Sequence, residues 1–149
     1  MKSMKMYSTF GSSLAVIILL FTLSALQPVN AQELRNSSNA VIGKVESNGT
    51  VRNKSGSQVG KIESDGTIRN GSGANFGKIN SNGVIVDKSN RQIGKIESDG
   101  TVRDKSNSQI GKVESNGTVR GRSGAQIGTA KGVKKEWAAI AFFFLFDLK

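Results

Sequence analysis

One phrase returns along this chain every 17 residues. It reads IGKVESNGTVRNKSGSQ from Ile42, VGKIESDGTIRNGSGAN from Val59, FGKINSNGVIVDKSNRQ from Phe76, IGKIESDGTVRDKSNSQ from Ile93 and IGKVESNGTVRGRSGAQ from Ile110. The flanks are half-phrases: LRNSSNAV from Leu34 matches the second half, and IGTA from Ile127 matches the opening. A fixed period with incomplete units at both ends marks a repeat array, and a closed array would use the two halves to complete a ring.

Each phrase carries two turn signals. The first is Ser-Asn-Gly or Ser-Asp-Gly, ending at Gly49, Gly66, Gly83, Gly100 and Gly117. The second is a Ser followed by Gly or Asn: Asn39, Gly56, Gly73, Asn90, Asn107 and Gly124. Gly and Asn tolerate the positive φ that tight hairpins need. Short β-leaning runs such as QIGKIE and TVRDK lie between them. The expected fold is therefore all-β: 17-residue β-hairpin repeats giving about twelve short antiparallel strands.

The apolar residues select the register. A three-residue loop at Ser64-Asp65-Gly66 sets Ile62 opposite Ile68, whereas a two-residue loop there would set Ile62 opposite Arg69. One face must be apolar, so the three-residue loop is selected. A two-residue loop at Gly56-Ser57 sets Val51 opposite Ile62 and Arg52 opposite Lys61. The result is a belt with one member per strand: Leu34, Val45, Val51, Ile62, Ile68, Ile79, Ile85, Ile96, Val102, Val113, Val119 and Ala130. A second apolar set (Ile42, Val59, Phe76, Ile93, Ile110, Ile127) lies three residues before belt positions, on the opposite face by strict alternation. Either the following Gly bends the strand, or this set packs between hairpins.

Three segments are expected. Residues 1–31 form a signal peptide: Lys2 and Lys5, then the apolar run LAVIILLFTLSAL, then the small-residue site VNA with cleavage after Ala31. An uncleaved membrane anchor is the alternative. Residues 32–133 form the repeat domain, and residues 134–149 an apolar tail. The expected location is exported, periplasmic or extracellular. Loss of Lys2 and Lys5 lowers the net charge from +10 to +8. The chain has no Cys and no His. Disulfide stapling, the common zinc sites and His-based catalysis are thus excluded. No cofactor and no catalytic residue is expected, and the chain is read as non-enzymatic.

The phrase IGKIESDGTVRDKSNSQIGKVESNGTVR, with a signal-like segment before it and AKGVKKEWAAIAFFF after it, resembles the secreted 5-fold β-flower proteins, relatives of the four-fold β-flower domain. The resemblance covers about residues 34–146. It implies hairpins set as petals around an axis, a flower or propeller-like ring, and no particular activity. Five full repeats but six hairpins leave five and six petals both open.

The recurring cations are the candidate binding residues. They are Lys44, Lys61, Lys78, Lys95 and Lys112 on one strand type, and Arg52, Arg69, Arg103 and Arg120 on the other, with Arg35 in the leading half. One reading is a solvated face. The other is a cation ring for an anionic polysaccharide, a lipid headgroup at a membrane surface, or nucleic acid. Nucleic acid is disfavoured, because the repeats offer only Phe76 as an aromatic platform. Glu63, diagonal to Arg69, offsets part of the charge. Asp65 and Asp99 match no calcium loop: Asn48, Asn82 and Asn116 take the same place, so the position selects a turn former. The tail run WAAIAFFFLF, Trp137 to Phe146, is about 15 Å long as a helix, too short to cross a bilayer. It is apolar all round, so it either packs across one end of the ring or serves self-association or a membrane surface. The sequence thus indicates a structural or interaction module of the cell envelope, with anion binding through the Lys/Arg ring as the alternative.

Overall fold

The computed structural model describes residues 32–145. The expected signal peptide, its cleavage site and Phe146 lie outside them. Twelve strands alternate in length between five and four residues over most of the chain. They are β1 Gln32–Asn36, β2 Val41–Val45, β3 Thr50–Asn53, β4 Gln58–Ile62, β5 Thr67–Asn70 and β6 Asn75–Ile79. The second half holds β7 Val84–Asp87, β8 Gln92–Ile96, β9 Thr101–Asp104, β10 Gln109–Val113, β11 Thr118–Gly121 and β12 Gln126–Thr129. A short helix, α1 Lys135–Ile140, runs on into a π-helical turn, Ala141–Leu145.

Every strand pairs antiparallel with its neighbours, and β1 pairs with β12, so the sheet closes into a barrel. Arg35 lies opposite Thr129 and Asn36 opposite Gly128. Closure leaves no sheet edge, which would otherwise template aggregation. Six two-strand units surround the axis. Five are the full repeats, and the sixth is made by β12 and β1 from the two flanking halves.

Both kinds of loop turn out to have the same geometry. At Ser64-Asp65-Gly66, the Gly66 N–H donates to the Glu63 carbonyl and the Glu63 N–H to the Thr67 carbonyl. Gly66 has φ 86°. This is the expected three-residue loop, and Ile62 faces Ile68 as read. The other loop departs from expectation. Gly56 N–H donates to Asn53 and Asn53 N–H to Ser57, so the loop is Lys54-Ser55-Gly56, again three residues. The cause is Asn53, whose Oδ1 accepts from the Ser55 and Ser57 N–H groups and holds the wider turn. A bulge follows: Arg52 faces Gln58, Val51 faces Gly60, and Val59 is the extra residue. Val51 is therefore displaced by two residues from its expected partner Ile62. An even displacement keeps every side chain on its face. Eleven of the twelve belt residues are buried, and Ile79 is half-buried.

The bulge recurs on all six five- or four-residue strands that open a unit, each time at the apolar residue before the Gly. It decides the fate of the second apolar set. Ile42, Val59, Phe76, Ile93 and Ile110 are partly buried and pack against the core, while Ile127 stays exposed.

Eight strands suffice for side chains to fill a barrel, and the width grows with strand number. Twelve leave a lumen that Val and Ile cannot fill, and the tail fills it. Ala138, Ala139, Ile140 and Ala141 are completely buried among the belt. The small Ala side chains let a helix about 10 Å across fit there. Beyond them, Phe142, Phe143 and Phe144 spread onto Gly128, Gly111 and Gly94 of three alternate strands. The tail goes deeper than a cover across one end: it is the centre of the core.

Candidate functional site

The recurring cations lie on the outer wall. Lys44 faces Arg52, Lys61 faces Arg69, Lys95 faces Arg103 and Lys112 faces Arg120. The expected opposition of Lys61 and Arg52 is replaced: Lys61 faces Thr50 across that hairpin, because of the bulge. Lys78 faces Val86.

The arginines are struts. The Nε atoms of Arg52, Arg69, Arg103 and Arg120 donate to Glu46, Glu63, Glu97 and Glu114 at 2.7, 2.9, 3.0 and 2.7 Å. Their Nη1 atoms donate to the carbonyls of Gly56, Gly73, Asn107 and Gly124 at 3.1 to 3.2 Å. Each arginine thus ties a Ser-Asx-Gly loop at one end of the barrel to its own hairpin loop at the other. The Glu46 carboxyl is held below its ordinary range, chiefly by the hydrogen bond from Arg52.

Lysines are freer. Lys112 reaches Asp99 at 3.2 Å, and Lys44 stands 3.8 Å from Glu46. Lys78, with no arginine opposite, is exposed, whereas Lys44, Lys61, Lys95 and Lys112 are half-buried. The ring is therefore brought together as a placement. Its arginine members are charge-matched within each unit, and of its lysine members Lys78 is the exposed one.

The acids of the turns serve the turns. Asp99 Oδ1 accepts the Thr101 N–H and Oδ2 the Thr101 hydroxyl, both at 2.9 Å. Those bonds, with Lys112 beside them, pull the Asp99 carboxyl down to about 2. Asp65 is lowered by the same two bonds from Thr67. Among the described residues, no three acidic side chains converge as a metal site requires.

A second feature was not foreseen. At the barrel end where the tail enters, an open cleft of about 880 Å3 separates Trp137 and Glu136 from the loops of the second, third and fourth units. Ile79, the one half-buried belt member, forms part of its wall with Ile62 and Ile96. The sequence does carry a signal for it. The third unit alone replaces the Glu and Arg of the strut together, with Asn80 and Val86, and puts Val84 where the others have Thr.

A twelve-strand closed ring of 17-residue hairpins, filled by its own tail, is the setting in which the comparison with known proteins falls. A family model described as 5-fold beta-flower protein matches residues 25–146. The chain belongs to this family. No curated protein and no solved structure matches it. Membership of the β-flower family accounts for the repeat, the all-β fold and the ring. In this β-flower the five full repeats bear five Ser-Asx-Gly loops at one end. The other end has six loops, and the missing sixth place is where the chain passes from β12 through Gly132 into α1.

Proposed function

We propose that this β-flower is an exported, non-enzymatic interaction module working in the cell envelope or outside the cell. The observation that supports this best is the division of labour among the recurring charges. Four Glu–Arg pairs are consumed in struts, and the turn acids are held well ionised by backbone donors. A general acid or base works with a pKa near the operating pH, and the carboxyls of Asp65 and Asp99 are moved the other way. Among the described residues, the ring members left without an ion pair are Lys61, Lys78 and Lys95. Export rests on the pattern of residues 1–31. Sequencing the amino terminus of the exported protein should give Gln32; an intact Met1 would overturn that part.

The second reading, an anion-binding wall, draws on the lysine ring. Lysines on alternate strands are about 10 Å apart around the barrel. A flat bilayer touches only one side of such a convex ring, whereas a flexible polymer can follow it, so an anionic polysaccharide fits better than a membrane surface. Retention on dextran sulfate that falls with salt, and that weakens in a K61Q/K78Q/K95Q variant, supports this reading. Equal passage over dextran sulfate and neutral dextran at low salt removes it and leaves the neutral-module reading.

A further inference from the structure

The cleft at the barrel mouth has the size, position and chemistry of a ligand site. Its volume of about 880 Å3 is that of a small-molecule pocket. It arises because one helix without rotational symmetry stands in a ring of six equivalent units. Trp137 lies toward Gly49 of the first unit, and Lys135 lies toward the fourth, with its Nζ on the Ser98 carbonyl at 2.7 Å. Among the described residues no hydrogen bond from the tail reaches the third unit, and there Ile79 is half-buried.

The chain's own repeats serve as the reference for that unit. The other four full repeats place a Glu at the position of Asn80 and an Arg at that of Val86, and join them as a strut. The third unit drops both charges at once, that of position 80 in the cleft and that of position 86 on the outer wall opposite Lys78. It leaves amides and a hydroxyl: Asn80, Ser81 and Asn82. Asn82 Oδ1 accepts the Val84 N–H, which leaves its amide NH2 free to donate. The apolar part of the lining is Ile62, Ile79, Ile96 and Trp137.

The charges around this centre decide the ligand class. Glu63, Glu97 and Asp99 line the cleft, and each already has a cation, Arg69, Arg103 and Lys112; the other charges of the lining, Asp65 and Glu136 against Lys95 and Lys134, are two of each sign. An organic cation would meet the ammonium groups of Lys95 and Lys134. An anion would meet the same carboxylates. An uncharged molecule with an apolar face and an edge of hydroxyls fits both walls, with the indole available to the C–H face once the Lys134 ammonium, 4.7 Å above the ring, moves aside. We propose that this cleft binds an uncharged saccharide, through Asn80, Ser81, Asn82, Ile79 and Trp137. The proposal does not rest on anion binding by the outer wall, although Lys95 belongs to both places.

Trp137 is the only Trp in the chain, so its emission reports the cleft directly. The protein should be titrated with cello-oligosaccharides, malto-oligosaccharides and chitin oligomers, and with spermidine as the cationic comparison. Each titration is repeated by calorimetry, so that binding silent in fluorescence is still seen. A saturable response to at least one uncharged series, with Kd of about 1 mM or tighter, is the expected result. The N80E/V86R variant restores the strut that four other units carry, and it should fold and melt like the parent or better. Its affinity should fall at least about tenfold. No binding of any uncharged series by either method, a response to spermidine alone, or unchanged affinity in N80E/V86R would each overturn the proposal.

Discussion

Gly111→Ala tests whether the tail fills the lumen as described. A Cβ on Gly111 would stand 2.3 Å from Cζ of Phe143 and 2.5 Å from the Arg120 carbonyl oxygen. Carbon atoms in contact sit about 3.5 Å apart or more, so the ring must withdraw by about 1 Å. Withdrawal is opposed by the buried stretch before it, Ala138 to Ala141. Overpacking of this kind costs about 1–3 kcal/mol. Against that, replacing Gly restricts the unfolded chain and returns about 0.4–1 kcal/mol. The net loss should be about 1–2 kcal/mol, or a Tm lower by about 4–8 °C for a domain near this size. Thermal melting by circular dichroism measures it. A double-mutant cycle then isolates the ring. In a Phe143→Ala background the ring contact is gone while that with the Arg120 carbonyl stays, so Gly111→Ala should cost about 1 kcal/mol less. Gly121→Ala is the control: its nearest neighbour is the side-chain tip Ile127 Cγ2 at 3.2 Å, and its effect should stay within about 0.5 kcal/mol. If Gly111→Ala costs the same with and without Phe143, the ring does not occupy the glycine slot.

Ile62→Asp or Ile96→Asp should unfold the barrel, since burying an unpaired carboxylate costs several kcal/mol against a total stability of about 5–15 kcal/mol; a mutant melting like the parent would show that the belt faces outward. Ending the chain after Lys135 should abolish cooperative melting or cause aggregation by emptying the lumen, and a truncated protein as stable as the parent would move the tail from core to interface. Asp99 has its folded pKa at about 2 against an ordinary 3.8, so its contribution is complete above the higher value and is lost as pH falls from about 4 toward 2. Asp99→Asn, which matches Asn48, Asn82 and Asn116 of other units, should make Tm less steep over that interval, and an unchanged slope would refute the assignment.

The belt was legible because two periodicities agree on it, alternation along a strand and recurrence every 17 residues. It survived an error in one loop. Asn53 widens that turn through its side chain, and the bulge at Val59 follows; together they shift the pairing by two, which leaves the faces unchanged. The direction of the second apolar set was not legible, since a bulge depends on backbone geometry that IGK alone does not declare. Tail burial could be read from its uniform apolarity. Its place in the lumen could not, because that follows from the width of a twelve-strand ring and from Phe–Gly contacts across long stretches of chain. The ion pair of Glu63 with Arg69 was foreseen from the diagonal, and the grip of Arg69 on the Gly73 carbonyl was not. The cleft was missed because repeats were compared for what they share, whereas the informative residues, Asn80 and Val86, are where one unit differs.

Symmetry explains why one unit can differ. A ring of equivalent hairpins offers the same surface at every unit, so a feature placed in one repeat has no reason to act differently from its copies. The tail removes that equivalence. It leaves β12 at a single gap in the ring, turns at Gly132, and fills the lumen with a helix that has no matching rotation. Its side chains can satisfy some sectors only by leaving another open. The open sector is the third unit, where a belt residue is half-exposed and where the strut is absent. A Glu–Arg pair at the solvent-facing wall contributes about 1 kcal/mol, so the barrel loses little by dropping one of several. The fold therefore tolerates a change of chemistry at that sector, and the tail ensures that the change lines a cleft rather than a repeated, solvated wall.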